Sequence, residues 1–127
     1  MANILIVDDS ETVRAQLRND LESEGHKVFE AGNGIEGLAV LDGNNKYHIE
    51  LIFCDVNMPE MDGLTMCKEL HSISALSNIP IFMLTTQTSA SMKAEGKASG
   101  VIAWIVKPYQ KQSTLSAVTK VLSRLAT

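Results

Sequence analysis

The sequence lacks the features that would direct it to a membrane, to nucleic acid or to an oxidising compartment. No apolar run approaches the ~20 residues that a membrane span needs, and the first run is too short for a signal peptide. Lys and Arg number 11 against 15 Asp and Glu, so electrostatics provides no reason to bind nucleic acid or an anionic membrane. Only two cysteines occur, without CxxC spacing. We therefore expect a cytoplasmic protein.

The cysteines and histidines are scattered rather than clustered. Cys54 falls in an apolar run and Cys67 in a helical pattern, so both are expected to be core thiols rather than a redox pair. His26, His48 and His71 belong to different elements and are expected at the surface or in loops rather than as metal ligands. At 127 residues and 45% hydrophobic composition, the chain can bury a core without disulfides.

Short apolar runs alternate with helical stripes along the whole chain. The runs have the length and turn boundaries of strands and cover 3–7, 27–31, 51–55, 79–84 and 101–106. Apolar residues recur at helical spacing in the sets Val13-Leu17-Leu21, Ile35-Leu38-Leu41, Met66-Leu70-Ile73 and Leu115-Val118-Leu122-Leu125. Five strands alternating with five helices predict an α/β fold with a doubly wound parallel sheet. No length is left for a second domain, so residues 1–127 are expected to form one.

The fourth helix is predicted to be weak. Residues 88–99 place Ala90, Ala94 and Ala98 on one face, contain almost no large apolar anchor, and are interrupted by Gly96. Glycine costs ~1 kcal/mol against alanine inside a helix. We expect this helix to be loosely held.

Polar side chains stand at the carboxyl ends of four predicted strands. They are Asp8 and Asp9 after the first strand, Asp55 at the end of the third, Thr85 at the end of the fourth, and Lys107 after the fifth. Carboxyl ends of parallel strands share one edge of the sheet, which is where open α/β sheets bind ligands. Each residue alone has an ordinary explanation, since Asp caps helices and occurs in turns. Together they predict a shallow polar site.

The residue types at this edge suit phosphoryl transfer. Clustered carboxylates repel one another, and Mg²⁺ neutralises such a cluster while keeping positions for water and phosphate oxygens. An ionised Asp can also act as a nucleophile and carry an aspartyl-phosphate. Lys107 can hold a phosphoryl oxygen as a compact cation, and the Thr85 hydroxyl can donate to another. The expected cofactor is Mg²⁺.

Four motifs together resemble the response-regulator receiver family over essentially the whole chain. They are Ile4-Leu5-Ile6-Val7-Asp8-Asp9-Ser10, Asp55-Val56-Asn57-Met58-Pro59-Glu60-Met61-Asp62-Gly63, Leu84-Thr85 and Val106-Lys107-Pro108. With no appended output domain, the chain is similar to the single-domain, CheY-type chemotaxis branch. The resemblance implies a flavodoxin/CheY-like fold of strand order 2-1-3-4-5.

The resemblance also implies the roles of the acidic residues. Asp55 would be the phosphoacceptor. Asp9, Asp55 and the backbone carbonyl of Asn57 would bind Mg²⁺ directly, and Asp8 would help through water. The Lys107–Pro108 peptide would be cis.

The family's switch gives expectations for the remaining polar positions. Thr85 and Lys107 would contact the phosphoryl group. On activation the hydroxyl of Thr85 would move toward that group while the strand-five aromatic, here Trp104, turns inward. The usual aromatic is Tyr or Phe, so the larger indole is a departure. Thr86 stands where the family prefers Ala or Gly, and Gln87 occupies a position that tunes dephosphorylation.

Three other interpretations of the sequence compete with a phosphoacceptor signalling domain. Gly32, Gly34 and Gly37 match the G-x-G-x-x-G pattern of a dinucleotide-binding protein, although the glycines follow the second strand and the first βα unit carries two carboxylates. A phosphate-independent, receiver-like interaction domain would have no need of the full polar set. An aspartyl-phosphate phosphatase would place a second Asp where Asn57 stands.

The resulting hypothesis is a monomeric, cytoplasmic signalling protein rather than an enzyme acting on an external metabolite. It would accept phosphate from a chemotaxis-type sensor histidine kinase and lose it slowly or with help. Helix four, strand five and helix five would form the output face. The downstream partner would be a protein, with the flagellar motor switch as one candidate, and neither nucleic acid nor a membrane is expected as a partner.

Overall fold

The computed structural model describes residues 1–86 and 88–125, and for Leu125 it describes the backbone alone. In this part of the chain five strands alternate with five helices. In chain order they are β1 (Asn3–Val7), α1 (Glu11–Ser23), β2 (Lys27–Ala31), α2 (Gly34–Leu41), β3 (Leu51–Asp55), α3 (Gly63–His71), β4 (Ile81–Thr85), α4 (Ala90–Ala98), β5 (Val101–Val106) and α5 (Lys111–Leu125).

The strands form one parallel sheet in the order β2-β1-β3-β4-β5. One core layer joins the sheet to α1 and α5, and the other joins it to α2, α3 and α4. The predicted doubly wound α/β fold is therefore confirmed, with the strand order that the resemblance implied. Because chain direction across the sheet reverses between β1 and β3, their carboxyl ends form the switch point where such sheets bind ligands.

The continuous apolar runs are strands that are buried on both faces. Every residue of β3 and β4 is buried. Because side chains alternate along a strand, Phe53 and Phe82 point into the α1–α5 layer, where their rings meet edge to face with centroids 5.3 Å apart. Cys54 and Met83 point into the opposite layer. Each large apolar side chain buried in this way contributes about 1.5–3 kcal/mol to stability.

Both cysteines are free, fully buried thiols, as predicted. Cys54 Sγ lies 3.9 Å from the Met66 sulfur, and Cys67 Sγ lies 3.9 Å from the Met83 sulfur. A hydrogen bond with Cys67 and then burial raise the pKa of the Cys54 thiol. The Cys54 thiol therefore stays protonated. Both buried cysteines serve as soft apolar packing groups.

Side-chain caps start four of the helices within a few residues of the preceding strand. Each cap oxygen accepts the backbone N–H of the residue three positions later, and the caps are Ser10 for α1, Asn33 for α2, Asp62 for α3 and Ser89 for α4. The connections from β1, β2 and β4 to their helices are short, whereas residues 56–62 form a longer loop between β3 and α3.

Three of the predicted elements differ from the structure in detail. Ile73, predicted to be part of the apolar stripe of the third helix, lies beyond the last residue of α3, His71. The fourth strand begins at Ile81 rather than at residue 79, because the N–H of Ile79 bonds the Leu76 carbonyl in a turn and Pro80 has no N–H for a ladder. Ile35, predicted to be part of the apolar stripe of α2, is half exposed. That helix buries Gly34, Gly37 and Leu41 instead.

The fourth helix presents a different face to the core from the one that its alanines suggest. Ala90, Ala94 and Ala98 are exposed, and the residue that α4 buries is Gly96. A Cβ atom built at Gly96 would lie 2.6 Å from Cζ2 of Trp104. The glycine that weakens the helix therefore also makes room for the indole of β5. Because Gly96 is the one residue that α4 buries, the helix has little contact with the core, which supports the prediction that it is loosely held.

The remaining expectations concern the surface and the last helix. As predicted, His48 and His71 are exposed and His26 lies in the loop between α1 and β2. His26 is partly buried there, and its Nδ1 accepts the backbone N–H of Ala2 at 3.1 Å. In α5 the stripe packs on the core through Leu115, Val118 and Leu122, and the Leu125 side chain lies outside the described residues. None of the described helices has both the length and the apolar character needed to cross a bilayer.

Candidate functional site

The sheet register brings the predicted polar residues to one edge. Val7 pairs with Cys54, so Asp8 and Asp55 leave neighbouring strands side by side. Asp55 pairs with Leu84 of β4; the next residue, Thr85, ends that strand and pairs with Val106, the residue before Lys107. The site is therefore built on rigid central strands, with its lysine supplied from the edge strand.

Three carboxylates meet at this edge. One oxygen from each of Asp8, Asp9 and Asp55 can be chosen so that all three lie within 4.8 Å of one another. Asp8 is fully buried, Asp55 is 5% exposed, and Asp9 is exposed to solvent. An all-oxygen set that is open on one side matches the preference of Mg²⁺ for one or two carboxylates with water in the other positions.

The two oxygens of Asp8 have different surroundings. Oδ1 accepts the N–H of Ser10 at 2.8 Å. Oδ2 is buried without a hydrogen bond of good geometry, although it lies 2.8 Å from Nζ of Lys107 as an ion pair. Buried carboxylate oxygens are costly unless their charge and lone pairs are satisfied. This incompletely satisfied oxygen, within the acidic cluster, fits a site that accepts a cation.

Lys107 lies across the site from the acids. Its Nζ is 3.4 Å from Oδ2 of Asp55 as well as 2.8 Å from Asp8. Burial lowers the pKa of its ammonium, but the close approach of the negatively charged Asp8 and Asp55 carboxylates outweighs burial, and the net pKa is raised. Its backbone N–H donates to the Thr85 carbonyl at 2.8 Å, and the peptide to Pro108 is cis, as the resemblance implied.

The charge balance at Asp55 is unfavourable without a further cation. Burial, followed by the negative charge of Asp8, raises the pKa of Asp55 to about 6, while Lys107 opposes the shift. One lysine therefore does not compensate for three clustered acids. Carboxylates in such a cluster are stabilised by a bound divalent ion, which is the largest local charge wherever it binds.

A glycine allows α3 to begin directly behind the acidic cluster. A Cβ atom at Gly63 would overlap the carbonyl oxygen of Asp55 and lie 3.0 Å from its carbonyl carbon. The N–H of Gly63 donates to the Val56 carbonyl at 2.9 Å and closes the loop that carries Asn57. The side chain of Asn57 is exposed, two residues beyond Asp55.

The predicted switch residues occupy different environments. Thr85 is fully buried at the end of β4, and Thr86 after it is exposed. Trp104 is partly buried and packs against Gly96 in the layer of α2, α3 and α4. Gln87 lies outside the described residues.

Sequence reasoning missed Arg14, a basic residue that supports the acidic edge. Its Nη1 donates to the backbone carbonyl of Asp8 at 2.6 Å, and its Nε donates to Glu30 of β2 at 3.1 Å. Arg14 thereby joins α1, β1 and β2 beneath the site. The available signal was its position one helical turn after the Ser10 cap, on the side facing the sheet.

The glycines of the G-x-G-x-x-G pattern serve packing rather than anion binding. Cβ atoms at Gly34 and Gly37 would lie 2.8 Å from Met61 Cγ and 3.0 Å from Val7 Cγ2, respectively. The backbone N–H of Gly32 bonds the carboxylate of Glu36 at 3.0 Å. A carboxylate therefore occupies the position in which a pyrophosphate would need free N–H donors, and the dinucleotide-binding alternative fails.

A doubly wound sheet with three acids and a lysine at its switch point defines a candidate Mg²⁺-dependent phosphoryl-transfer site. Comparison with known proteins gives the family. The family described as the response regulator receiver domain matches residues 4–119. Chemotaxis protein CheY1 of Helicobacter pylori is 38% identical over 110 residues, which cover 86% of this chain and 87% of that protein.

Two further relatives extend this comparison. The structure of Vibrio cholerae chemotaxis protein CheY4 superposes with a TM-score of 0.87 at 39% identity, covering 95% of this chain and 98% of that one. The sensor histidine kinase CheAY of Helicobacter pylori is 33% identical over 117 residues, which cover 92% of this chain but 14% of the kinase. The chain belongs to the response regulator receiver family, as the sequence resemblance indicated.

Proposed function

We propose that this receiver accepts a phosphoryl group on Asp55 in a Mg²⁺-dependent reaction and uses it as a transient signal. The observation that carries the proposal is the placement of Lys107 Nζ 3.4 Å from the Asp55 carboxylate, beside oxygens of Asp8, Asp9 and Asp55 that lie within 4.8 Å of one another. A nucleophilic carboxylate, an oxygen donor set and a fixed cation are the components that an aspartyl-phosphate requires.

Each residue has a defined part in the proposed reaction. An oxygen of Asp55 attacks the phosphorus atom of a phosphohistidine, the N–P bond breaks, and the departing imidazole takes up a proton. Asp8, Asp9, Asp55 and the Asn57 carbonyl would hold Mg²⁺, which when bound supplies charge neutralisation at the phosphoryl oxygens. Lys107 leaves its ion pair with the Asp55 carboxylate to contact a phosphoryl oxygen.

The Thr85 hydroxyl and the solvent-exposed side of the site complete the proposed cycle of phosphorylation and dephosphorylation. Thr85 ends β4 beside Asp55 and can donate to a second phosphoryl oxygen. Loss of the phosphoryl group occurs by attack of water on phosphorus, which breaks the P–O bond to Asp55, releases inorganic phosphate and regenerates the Asp55 carboxylate. Asp9 and Asn57, both exposed, leave the site open to this water.

The phosphodonor in this proposal is a sensor histidine kinase of the chemotaxis type. Support comes from the relatives, because CheAY is a sensor histidine kinase and CheY1 a chemotaxis protein. The chain is proposed to act as a cytoplasmic monomer, in line with its acidic composition. Its downstream partner would be a protein, with the flagellar motor switch as the first candidate to test.

The output face is proposed to consist of α4, β5 and α5, with Trp104 as its reporter. In support, α4 buries one residue, Gly96, and β5 is an edge strand whose Ile102 and Val106 are more than half exposed. Elements with so few buried contacts can be repositioned at low free-energy cost. Trp104 fluorescence should therefore change when beryllofluoride and Mg²⁺ are added as a phosphoryl mimic.

Intact-mass analysis after incubation with acetyl phosphate and Mg²⁺ tests the chemistry. We expect one added phosphoryl group in the wild type and none in Asp55→Asn. Asp62→Asn is the matched control, because Asp62 is an exposed neighbouring carboxylate whose capping role Asn can retain. A phosphorylated Asp55→Asn protein, or an unmodified wild type with folded structure intact, would contradict the proposal.

A further inference from the structure

In addition to Asp8 and Asp55, a further buried carboxylate lies outside the proposed phosphoryl site. Asp20 lies near the C-terminal end of α1 and is 8% exposed. The N-terminal end of α1, which follows Asp8 and Asp9, is the end next to the acidic cluster. Its Oδ2 accepts a hydrogen bond of 2.6 Å from the hydroxyl of Tyr109, and its Oδ1 lies 3.7 Å from Nζ of the exposed Lys111. Acidic side chains are seldom buried unless a specific partner holds them.

The hydrogen bond between Asp20 and Tyr109 joins distant parts of the chain. The two residues are 89 positions apart, and the bond ties α1 to the segment between β5 and α5. Tyr109 is two residues beyond Lys107. On the other side, the backbone N–H of Lys107 is bonded to the Thr85 carbonyl at 2.8 Å. The short segment that carries the lysine is thus held at both ends.

The Tyr109 hydroxyl is suited to keeping this hydrogen bond intact. Burial, then the hydrogen bond and charge of Asp20, raise the pKa of the Tyr109 phenol, so the hydroxyl stays protonated and donating. A donor to an ionised carboxylate forms a stronger hydrogen bond than a neutral pair. By contrast, Tyr47, the other tyrosine, is 42% exposed and stacks on Phe29 with ring centroids 5.0 Å apart.

We propose that Asp20 and Tyr109 are positioning residues for phosphoryl transfer, because their hydrogen bond holds the Lys107 segment where its ammonium meets Asp8 and Asp55. The inference rests on the proposed function. A misplacement of ~1 Å at a reacting group can cost as much as 100-fold in rate. The hydrogen bond of Tyr109 lies two residues from the lysine, on a segment that is already bonded to β4. Its loss should therefore cost only part of such a ~100-fold decrease in rate.

The first test compares the two tyrosines. We expect Tyr109→Phe to slow Mg²⁺-dependent phosphorylation by acetyl phosphate about three- to tenfold, measured by intact mass over time. Tyr47→Phe removes the same hydroxyl far from the site and should leave the rate unchanged. Equal rates for Tyr109→Phe and the wild type would overturn the inference.

Conservative replacement of the acceptor separates positioning from bulk stability. Asp20→Asn retains an oxygen that can accept from Tyr109 and should keep most of the rate, whereas Asp20→Ala should match Tyr109→Phe. The Asp20→Asn/Tyr109→Phe double variant avoids leaving a buried charge unpaired, so it remains folded and should be as slow as Tyr109→Phe alone. A fast double variant would contradict a positioning role.

A cycle with Lys107→Gln determines whether the effect acts through the lysine. Tyr109→Phe should slow the wild type but have no further effect in the Lys107→Gln background, since coupled residues are non-additive. The same fold-loss in both backgrounds would reject positioning of Lys107. If the wild type itself gains no phosphoryl group on Asp55, the proposed function fails first, an outcome distinct from a phosphorylated wild type with an insensitive Tyr109→Phe.

Discussion

The centre of the sheet is packed more tightly than its β5 edge. Every residue of β3 is buried, and α3 covers it with Gly63, Met66, Cys67 and Leu70. At the edge, Val101 is the one residue of β5 that is buried, and Gly96 is the one residue of α4 that is buried. The acids sit on the firmly packed strands, whereas the proposed output face lies where few contacts must be broken. Firm packing keeps the reacting groups in place, and loose packing allows the response.

The largest effect is expected at the junction of β3 and α3. Gly63→Ala should destabilise the protein by about 4 kcal/mol or more, because its Cβ would overlap a backbone oxygen of Asp55 that cannot move independently of the site. Urea denaturation measures the loss. Gly43→Ala is the control: its Cβ would meet nothing within 4 Å, and only its positive φ should cost stability. Similar losses for both variants would refute this view of the junction.

Truncation of one apolar side chain in α3 and one in α4 compares the packing of the sheet centre with that of the β5 edge. Leu70→Ala in α3 should cost about 2–5 kcal/mol, since the side chain is almost completely buried. Met92→Ala in α4 should cost about 1 kcal/mol, because that side chain is only partly buried against the core. Chemical denaturation of both variants gives the two values. Equal losses would remove the packing difference on which the comparison depends.

The acidic cluster predicts a pH dependence for the metal-free protein. The pKa of Asp55 rises from 3.8 to about 6 on folding, so between these values the folded state holds a proton that the unfolded chain has released. Stability should therefore fall as pH rises from about 4 to 6, by roughly 2 kcal/mol, and level off above.

Thermal unfolding with EDTA at a series of pH values measures this dependence. Asp55→Asn should abolish the fall and be more stable than the metal-free wild type at pH 7. Mg²⁺ should stabilise the wild type at pH 7 and the variant less. If the wild type instead gains stability between pH 4 and 6 in EDTA, ionisation of the clustered carboxylates does not destabilise the fold.

The smallest effect is expected at the contact between α4 and β5. Gly96→Ala gains ~1 kcal/mol of helix propensity but places a Cβ 2.6 Å from the Trp104 ring, a clash that should cost about 1–3 kcal/mol. We expect a net loss of about 1 kcal/mol together with altered Trp104 fluorescence. Ala94→Gly, on the exposed face, should lose similar stability with unchanged fluorescence. Unchanged fluorescence in Gly96→Ala would mean that the indole does not rest on this glycine.

Much of the fold could be predicted because its signals are local. Apolar runs ending in Asp8, Asp55 and Thr85 marked the strands and their carboxyl ends, and the parallel order of the strands made these ends converge. The exposed side of α4 could not be predicted, because alanine is compatible with either environment. Whether Gly96 is a weak point or a space for an indole depends on β5, which lies beside it only in the folded chain.

The amino-acid sequence by itself determined the order of strands and helices and the polar residues that end each strand, because periodicity and turn chemistry are properties of neighbouring residues. The tertiary structure decided which of those residues meet. The distance between Lys107 and the acids, the support that Arg14 gives to Asp8, and the bond from Tyr109 to Asp20 all join elements far apart in the chain. The strand-end pattern could predict that Lys107 and the acids share one edge, but the distances and the supporting hydrogen bonds depend on how the helices and loops pack on the sheet.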